Sequence, residues 1–234
     1  VLGDDDITFA QIETSQYSTV TLRSNGEVWS YGRNNYGQLG TGDNYNKILP
    51  TYTGINNIVQ IALGEDHCLA LDADGHVWAW GYNNYGQLGN GTTSTSYNKV
   101  QVKSPDGSGV LENIVAITAG KGHSLALDKN GQVYSWGNNN YGQLGVGDAK
   151  ARNLPVLVQS LENIIKIEAG RYSSFAIDNN NKLWATGYNG YGNLGDGTTT
   201  NKTKFVKNSI LENVTEVSAG ESNNTLVLLL DGTV

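Results

Sequence analysis

A histidine beside a cysteine is the pair in this sequence that comes nearest to a reactive centre. An imidazole next to a thiol can take its proton and leave a nucleophilic thiolate, and His67 directly precedes Cys68. The surrounding residues alternate like a strand, however, and neighbouring side chains on a strand point to opposite faces. His123 and Ser124 occupy the matching places in a second copy of the segment. We therefore interpret His67 and Cys68 as packing residues and predict that the chain is not an enzyme.

Acidic residues offer two candidate cation sites. Asp72 and Asp74, followed by Gly75, resemble the start of a calcium loop, but the twelfth position of such a loop needs a glutamate and is Asn83 here. The acidic run at residues 4–6 is typical of a solvated turn. Three histidines and one cysteine at these spacings do not suit a zinc site. We predict no metal site.

A glycine-rich segment, Tyr-Gly-Gln-Leu-Gly, invites comparison with phosphate-binding loops. It occurs at residues 36–40, 85–89 and 141–145, and as Tyr-Gly-Asn-Leu-Gly at 191–195. No copy is followed by the Lys-Ser or Lys-Thr pair that a phosphate-binding loop needs. We predict that the glycines form a compact turn over a buried leucine, and that the chain binds no cofactor.

These segments belong to a repeat that runs along the chain. Four aromatic stretches have a glycine at their fourth position (Gly32, Gly81, Gly137 and Gly187), and the steps between these glycines are 49, 56 and 50 residues. A second motif, clearest as Ala-Gly-Lys-Gly-His-Ser-Leu-Ala-Leu, occurs five times in varied form. Repeats of about 50 residues, built from short apolar runs and glycine-rich turns, are typical of propeller blades.

Each repeat unit predicts strands joined by a tight hairpin. Asp74-Gly75 separates two strand-like runs, and Asp-Gly pairs favour the two-residue type I′ turn. We predict an all-β fold, a β-propeller of four-stranded antiparallel blades, in which aromatics such as Trp80 fill the space between blades. Thr186 stands at the matching place in a later unit and predicts a looser contact there. The predicted strands include 58–63, 67–72 and 76–82, with an outer strand such as 153–159.

We interpret the chain as a single repeat domain, 1–234. It contains about five blade units, at 1–31, 32–80, 81–136, 137–186 and 187–234.

The stretch from Gly120 to Gly145 resembles the regulator of chromosome condensation (RCC1-like) repeat family. It contains Gly-x-x-His-Ser-Leu-Ala-Leu, then Gly-x-Val-x-x-Trp-Gly, then Tyr-Gly-Gln-Leu-Gly. The resemblance implies a propeller of four-stranded blades, commonly seven. The family includes the exchange factor for the small GTPase Ran and a secreted bacterial inhibitor of β-lactamases. Because its members share a fold but differ in function, the resemblance implies the fold and does not imply one function. The interaction residues of the exchange factor do not map onto positions of this sequence.

Two interpretations of the ring are open. Val1-Leu2-Gly3 could supply the strand that the last unit lacks, which would close a ring of five short blades. Alternatively, the chain is an incomplete arc of a larger, seven-bladed ring. We favour the arc, because the family usually has more blades and the sequence stops inside a predicted hairpin.

Composition narrows the classes of partner. The formal net charge of −7 does not provide the basic field that nucleic-acid binding needs. No apolar run approaches the roughly 20 residues that span a bilayer. We therefore predict no nucleic-acid partner and no membrane insertion. The acidic, asparagine-rich, cysteine-poor composition favours a bacterial protein that is extracellular or at the cell surface.

Loops that vary within the constant repeat are the expected recognition surface, because strands carry the packing. We predict a non-catalytic scaffold that binds another protein. The alternatives are a guanine-nucleotide exchange factor-like regulator of a small GTPase, and a structural or adhesive repeat domain that self-assembles. One continuous arc is expected from Tyr17, Asp66, Lys121, Tyr172 and Ser222. The predicted partner-binding residues are Tyr17, Arg33, Asp66, Tyr82, Lys121, Arg171, Tyr172 and Tyr188.

Overall fold

A computed structural model describes residues 8–220 and 222–234. Every regular element in these ranges is a β-strand, which confirms the predicted all-β fold. The strands form four sheets of four strands and one sheet of two. Val1-Leu2-Gly3, which could have closed the ring, lies outside the described residues. Within the described ranges there is no helix of the length and apolar character needed to cross a membrane.

The strands of each sheet are antiparallel and lie side by side in chain order. The first sheet holds β1 (Phe9–Thr14), β2 (Ser18–Arg23), β3 (Val28–Gly32) and β4 (Lys47–Tyr52). The second holds β5 (Ile58–Leu63), β6 (His67–Asp72), β7 (Val77–Gly81) and β8 (Ser96–Gln101). The third holds β9 (Ile114–Ala119), β10 (His123–Asp128), β11 (Val133–Gly137) and β12 (Arg152–Leu157). The fourth holds β13 (Ile164–Ala169), β14 (Ser173–Asp178), β15 (Leu183–Gly187) and β16 (Lys202–Lys207), and the last holds β17 (Val214–Ala219) and β18 (Thr225–Leu229).

The hairpin turns differ in detail from the predicted two-residue type I′ turn. That turn needs positive φ at both central residues, but of the pair only Gly75 has one, at 83°. The Gly75 amide donates to the Asp72 carbonyl at 3.1 Å, and the Asp72 amide donates to the His76 carbonyl at 3.0 Å. The turn is therefore one residue longer, and it is held by the Asp72 carboxylate, which accepts from the amides of Asp74 and His76.

The core lies between successive sheets. One cluster joins Val20 and Val28 of the first sheet to Ile61 and Trp80 of the second. Trp80 is fully buried, and its indole donates to the Gln38 carbonyl at 2.9 Å. A Cβ on Gly40 would lie 2.7 Å from the Trp80 indole nitrogen, so the turn glycine lets the loop approach the ring closely.

The predicted loose contact at Thr186 is wrong. Thr186 is fully buried, and its hydroxyl donates to the carbonyls of Gly142 or Lys202, each at 2.9 Å. The ring of Phe205, on the next strand, fills the place that Trp80 and Trp136 take in the second and third blades. A Cβ on Gly145 would lie 2.3 Å from that ring, in the same way that a Cβ on Gly40 would meet the ring of Trp80. The aromatic is supplied from β16 instead of β15, so the blade contact is retained.

The terminal sheets each leave apolar residues uncovered. Ile12 is 56% exposed, whereas its repeat equivalents Ile61 and Ile117 are buried. Leu226 is 63% exposed, although the matching place in an internal sheet is the buried Phe175. The described sheets therefore have the arrangement expected of an arc, in which internal blades are covered on both faces.

Candidate functional site

Two loops of each four-stranded blade meet on one rim of the arc. The turn after the inner strand and the long loop after the third strand are joined by a backbone hydrogen bond, such as the Tyr82 amide to the Asp66 carbonyl at 2.8 Å. Each long loop is held by a buried asparagine: the Asn83 side chain donates to the Thr92 and Ser94 carbonyls and accepts from the Leu88 amide. The fold thus fixes the backbone of this rim. Asn34, Asn139 and Asn189 make the same contacts in their blades.

Four of the predicted residues form a first cluster on this rim. The Arg33 guanidinium lies 5.7 Å from the Tyr17 ring centroid and 3.8 Å from the Asp66 carboxylate. The Tyr36 ring connects this group to Tyr82, with centroids 4.8 Å apart. Burial raises the pKa of Asp66, and the nearby Arg33 charge opposes that shift. We call Tyr17, Arg33, Tyr36, Asp66, Tyr82 and Tyr85 the first cluster.

The other four predicted residues form a second cluster. Arg171 and Lys121 lie 5.3 and 5.8 Å from the Tyr172 ring centroid. Tyr141 lies 5.0 Å from the Tyr172 centroid and 5.2 Å from that of Tyr188. Cations close to aromatic faces gain an attraction of about 0.5–1 kcal/mol at exposed sites. We call Lys121, Tyr141, Arg171, Tyr172, Tyr188 and Tyr191 the second cluster.

The predicted single arc is wrong at two of its five positions, Lys121 and Ser222. The Tyr17, Asp66 and Tyr172 carbonyls accept the amide of the long loop, and the residue that does so in the third blade is Gly122, one after Lys121. Lys121 and Ser222 instead belong to an inner ring at the mouth of the central channel. That ring surrounds a cavity of about 260 Å³ and consists of Gln16, Glu65, Lys121, Arg171 and Ser222.

A cleft separates the two clusters at Gly122. Its walls are tyrosines, with Tyr82 and Tyr85 from one side and Tyr141 and Tyr172 from the other, and its volume is about 260 Å³. Lys121 spans the edge of this cleft, where its ammonium lies 2.9 Å from the Glu65 carboxylate. The hydrogen bond from Lys121 to Glu65 raises the pKa of that lysine. We call this feature the Gly122 cleft.

Sequence reasoning missed the tyrosines of the Tyr-Gly-Gln-Leu-Gly segments. Tyr85, Tyr141 and Tyr191 are exposed by 40%, 36% and 80%, and each packs its ring against another tyrosine of the rim. The segment predicted only a compact glycine turn over a buried leucine, and the loop path shows that its tyrosines face solvent. The signal available was the residue type, since tyrosine is common at interfaces.

The inner strands line a channel of about 470 Å³ on the axis of the arc. Glu13 and Glu168 are equivalent residues of β1 and β13 and both contribute to its wall. Burial raises the pKa of Glu168 to about 7, and it also raises the pKa of Glu13. The Glu168 carboxylate accepts a hydrogen bond from the Ala219 amide at 3.3 Å, and this bond connects the fourth sheet to the last.

The histidine and cysteine of the second blade are buried in the packing between blades. His67 Nε2 lies 3.0 Å from the Ser124 hydroxyl, and that hydroxyl donates to the Gln87 carbonyl at 2.9 Å. The serine has one hydrogen to give, so His67 must donate from Nε2 and is the neutral Nε2–H tautomer. Burial raises the pKa of the Cys68 thiol well above its usual range, which does not favour a thiolate nucleophile.

Asp72, Asp74 and His76 have ligand atoms within 4.8 Å of one another. The Asp72 oxygens already accept from two backbone amides and from the Trp78 indole. Asp178 accepts the equivalent bonds in a blade without that histidine. The cluster thus follows from the turn geometry.

The sequence matches the family model described as the RCC1-like domain over residues 2–234. The ultraviolet-B receptor UVR8 of Arabidopsis thaliana is 31% identical over 146 residues, which are 61% of this chain and 32% of the receptor. The probable E3 ubiquitin-protein ligase HERC4 of Homo sapiens is 30% identical over 157 residues, 65% of this chain and 14% of the ligase.

Two solved structures have the same fold. Human WBSCR16 superposes with a TM-score of 0.82 and 26% identity, covering 94% of this chain and 57% of that chain. Yeast RCC1 (Prp20), solved bound to Kap60, gives a TM-score of 0.82 at 22% identity and covers 94% of this chain and 54% of that chain. The chain spans less than two thirds of each of these four proteins. The predicted bacterial and extracellular origin stays a prediction. The chain belongs to the RCC1-like domain family, and its five sheets are blades of an RCC1-type β-propeller.

Proposed function

We propose that this chain is a non-catalytic scaffold that binds another protein through the rim that carries the two tyrosine clusters. The observation that carries the proposal is the grouping of partly exposed tyrosines with Arg33, Lys121 and Arg171 on one rigid rim. Tyrosine and arginine supply large contact areas, and truncation of such central anchors often costs 2 kcal/mol or more of binding energy. Mixed charge beside aromatics suits a protein surface better than a phosphate backbone.

The test is a quantitative capture experiment from lysate of the source organism with three forms of the chain. The rim variant is Arg171→Ala with Tyr172→Ala. The control is Lys129→Ala with Asn130→Ser on the opposite rim, which also removes one cation; the Lys129 ammonium lies 2.8 Å from the Asn113 side chain. We expect the rim variant to lose proteins that the wild type and control retain. Equal capture by all three forms would contradict the proposal.

Self-association is a second candidate, favoured by the exposed apolar residues of the terminal sheets. Ile12 and Leu226 are each more than half exposed, and burying an aliphatic side chain is worth about 1.5–3 kcal/mol. Light scattering after size exclusion should then show oligomers that Ile12→Lys or Leu226→Lys converts to monomers. A wild-type chain that is monomeric at high micromolar concentration would contradict this candidate.

An exchange-factor activity has less support from the geometry. The likeness to yeast RCC1 shows the fold alone, and no feature of the rim singles out a nucleotide-binding partner.

A further inference from the structure

The residue whose carbonyl accepts the long-loop amide varies in side chain from blade to blade. Tyr17, Asp66, Gly122 and Tyr172 each accept the backbone amide of their own long loop, at 2.8–2.9 Å. The backbone therefore places the four residues equivalently. Two blades present an aromatic ring at this position, one presents a carboxylate, and the third blade presents no side chain.

Asp66 shows what a carboxylate does in this position. A glutamine from the preceding loop, Gln38, donates its side-chain amide to the Asp66 carboxylate at 2.8 Å. The carbonyl oxygen of the same Gln38 side chain accepts from the Tyr36 amide at 3.0 Å, which fixes the direction of the amide nitrogen. The second blade thus contains a built-in pair of amide donor and carboxylate acceptor.

The third blade keeps the donor and lacks the acceptor. Gln87 takes the place of Gln38, and its side-chain oxygen accepts from the Tyr85 amide at 3.0 Å, as in the second blade. A Cβ on Gly122 would lie 3.8 Å from the Gln87 amide nitrogen, so that nitrogen faces the position of the missing side chain. No acceptor among residues 8–220 and 222–234 bonds this nitrogen, and Gln87 lines the Gly122 cleft. Gln143, at the equivalent place in the next blade, also has no acceptor within these ranges for its amide nitrogen, but there the facing position is occupied by Tyr172.

Other groups around the same point also suit an anion. Asn138 uses its side-chain oxygen to accept from the Asn140 amide, which leaves its amide nitrogen to donate, and its Cβ lies 3.6 Å from the Cβ position of Gly122. Lys121 lies at the edge of the cleft, paired with Glu65. Tyr85 and Tyr141 form walls that reduce contact with water, and hydrogen bonds to an ionised acceptor are about twice as strong as neutral ones.

We propose that the Gly122 cleft binds a carboxylate presented by the partner protein, in the position that the Asp66 carboxylate holds in the neighbouring blade. This inference rests on the proposed function, because it assigns a specific contact within the partner-binding rim. A phosphate dianion fits less well, since Glu65 and Asp66 also line the cleft and Lys121 is the single cation among its described lining residues. The carboxylate can come from an acidic side chain or from a chain terminus.

The experiment follows the Gln87 side-chain amide by ¹H–¹⁵N NMR during titration with small probes. The side-chain probe is N-acetyl-aspartate N′-methylamide, with the asparagine analogue as its neutral control. The terminal probe is N-acetylglycine, with its methylamide as control. We expect a carboxylate probe to shift the Gln87 resonance and to bind at least tenfold more tightly than its neutral control; the preferred probe identifies the source. Equal affinity of charged and neutral probes, or no shift at Gln87, would overturn the proposal.

Two variants make the result specific to the cleft. Gly122→Asp supplies the carboxylate from the chain itself; the Cβ fits, because its nearest contacts are 3.6–3.8 Å and Gly122 does not have a positive φ. It should weaken probe binding at least tenfold without lowering the melting temperature. Gln87→Glu retains the Tyr85 contact but replaces the amide donor with a second carboxylate, and it should also abolish binding. Retention of binding by either folded variant would refute the proposal. The Arg171 and Tyr172 capture experiment tests the proposed function separately, so the two can fail independently.

Discussion

Lowering the pH from 7 to 5 should cost this protein stability through two buried histidines. His67 and His123 are both fully buried, and burial lowers the pKa of His67 to about 3 and that of His123 to about 4. Each ring donates from Nε2 to a serine hydroxyl at 3.0 Å, and its Nδ1 has no hydrogen-bond partner among the described residues. Protonation at Nδ1 would place an unpaired charge in the core.

The magnitude follows from proton linkage. In the unfolded chain a histidine has a pKa of about 6.5, so between that value and the folded pKa the unfolded state binds more protons. The free energy of unfolding therefore falls as the pH drops through this range. For His67 the loss between pH 7 and pH 5 is about 2 kcal/mol, and His123 adds a similar amount.

The titration of Glu168 changes stability in the opposite direction, so its effect must be separated from that of the histidines. Burial raises the folded pKa of Glu168 to about 7, above the pKa it has in the unfolded chain. Between these two pKa values the folded state binds more protons, so the free energy of unfolding falls as the pH rises towards 7. As the pH is lowered from 7 to 5, Glu168 therefore adds about 2 kcal/mol to the free energy of unfolding. The pH dependence of the wild type alone would therefore hide part of the histidine effect.

A difference measurement removes that interference. Urea unfolding, followed by tryptophan fluorescence at pH 7, 6 and 5, is compared for the wild type and for His67→Gln, which cannot titrate. We expect the wild type to lose about 2 kcal/mol more than the variant between pH 7 and pH 5. His123→Gln should reproduce this difference, and the double variant should double it. Parallel pH profiles for all four proteins would refute the argument that burial keeps these rings neutral.

Three further predictions concern stability and binding. Phe205→Ala should lower the free energy of unfolding by about 3–5 kcal/mol in urea titrations, because the ring fills the contact next to Thr186; the exposed Lys204→Ala is its control. Asn139→Ala should cost about 1–3 kcal/mol by the same assay and release the Tyr141 loop to limited proteolysis, whereas the exposed Asn140→Ala should do neither. His67→Ala should lower the melting temperature by calorimetry, yet both it and Cys68→Ser should capture the same lysate proteins as the wild type; loss of capture at an unchanged melting temperature would show that this pair is a binding site.

The strands were predictable because the repeat presents the same pattern several times. The run 67–72 coincides with β6, and 76–82 contains β7 (Val77–Gly81) with one extra residue at each end. The predicted outer strand at 153–159 overlaps β12 (Arg152–Leu157). Apolar alternation and Gly turns are local signals, so they survive in each copy regardless of how the blades pack.

The interblade contacts and the rim were less predictable because they join residues far apart in sequence. Nothing near Thr186 indicates that Phe205, on the neighbouring strand, would supply the missing ring. The offset between Lys121 and Gly122 likewise becomes visible only from the backbone bond between the Asn138 amide and the Gly122 carbonyl. In the same way, Tyr141 is part of a constant motif, yet its ring meets Tyr172 and Tyr188 of the following blade.

A repeat of this kind makes exceptions informative, because each position is seen in several nearly equal surroundings. Where packing demands a group, a second residue compensates for its loss, as Phe205 compensates for the threonine in the tryptophan position. Where no residue compensates, packing did not require the group. Gly122 is of the second kind: Gln87 keeps the direction that Gln38 uses to bind Asp66, while the chain supplies no acceptor for it. The Gln87 amide lines the cleft, so an acceptor from outside the chain can reach it. That oriented donor, located between two tyrosine clusters and lacking the acceptor that Asp66 provides for Gln38, is the reason to assign the Gly122 cleft to a carboxylate from outside the chain.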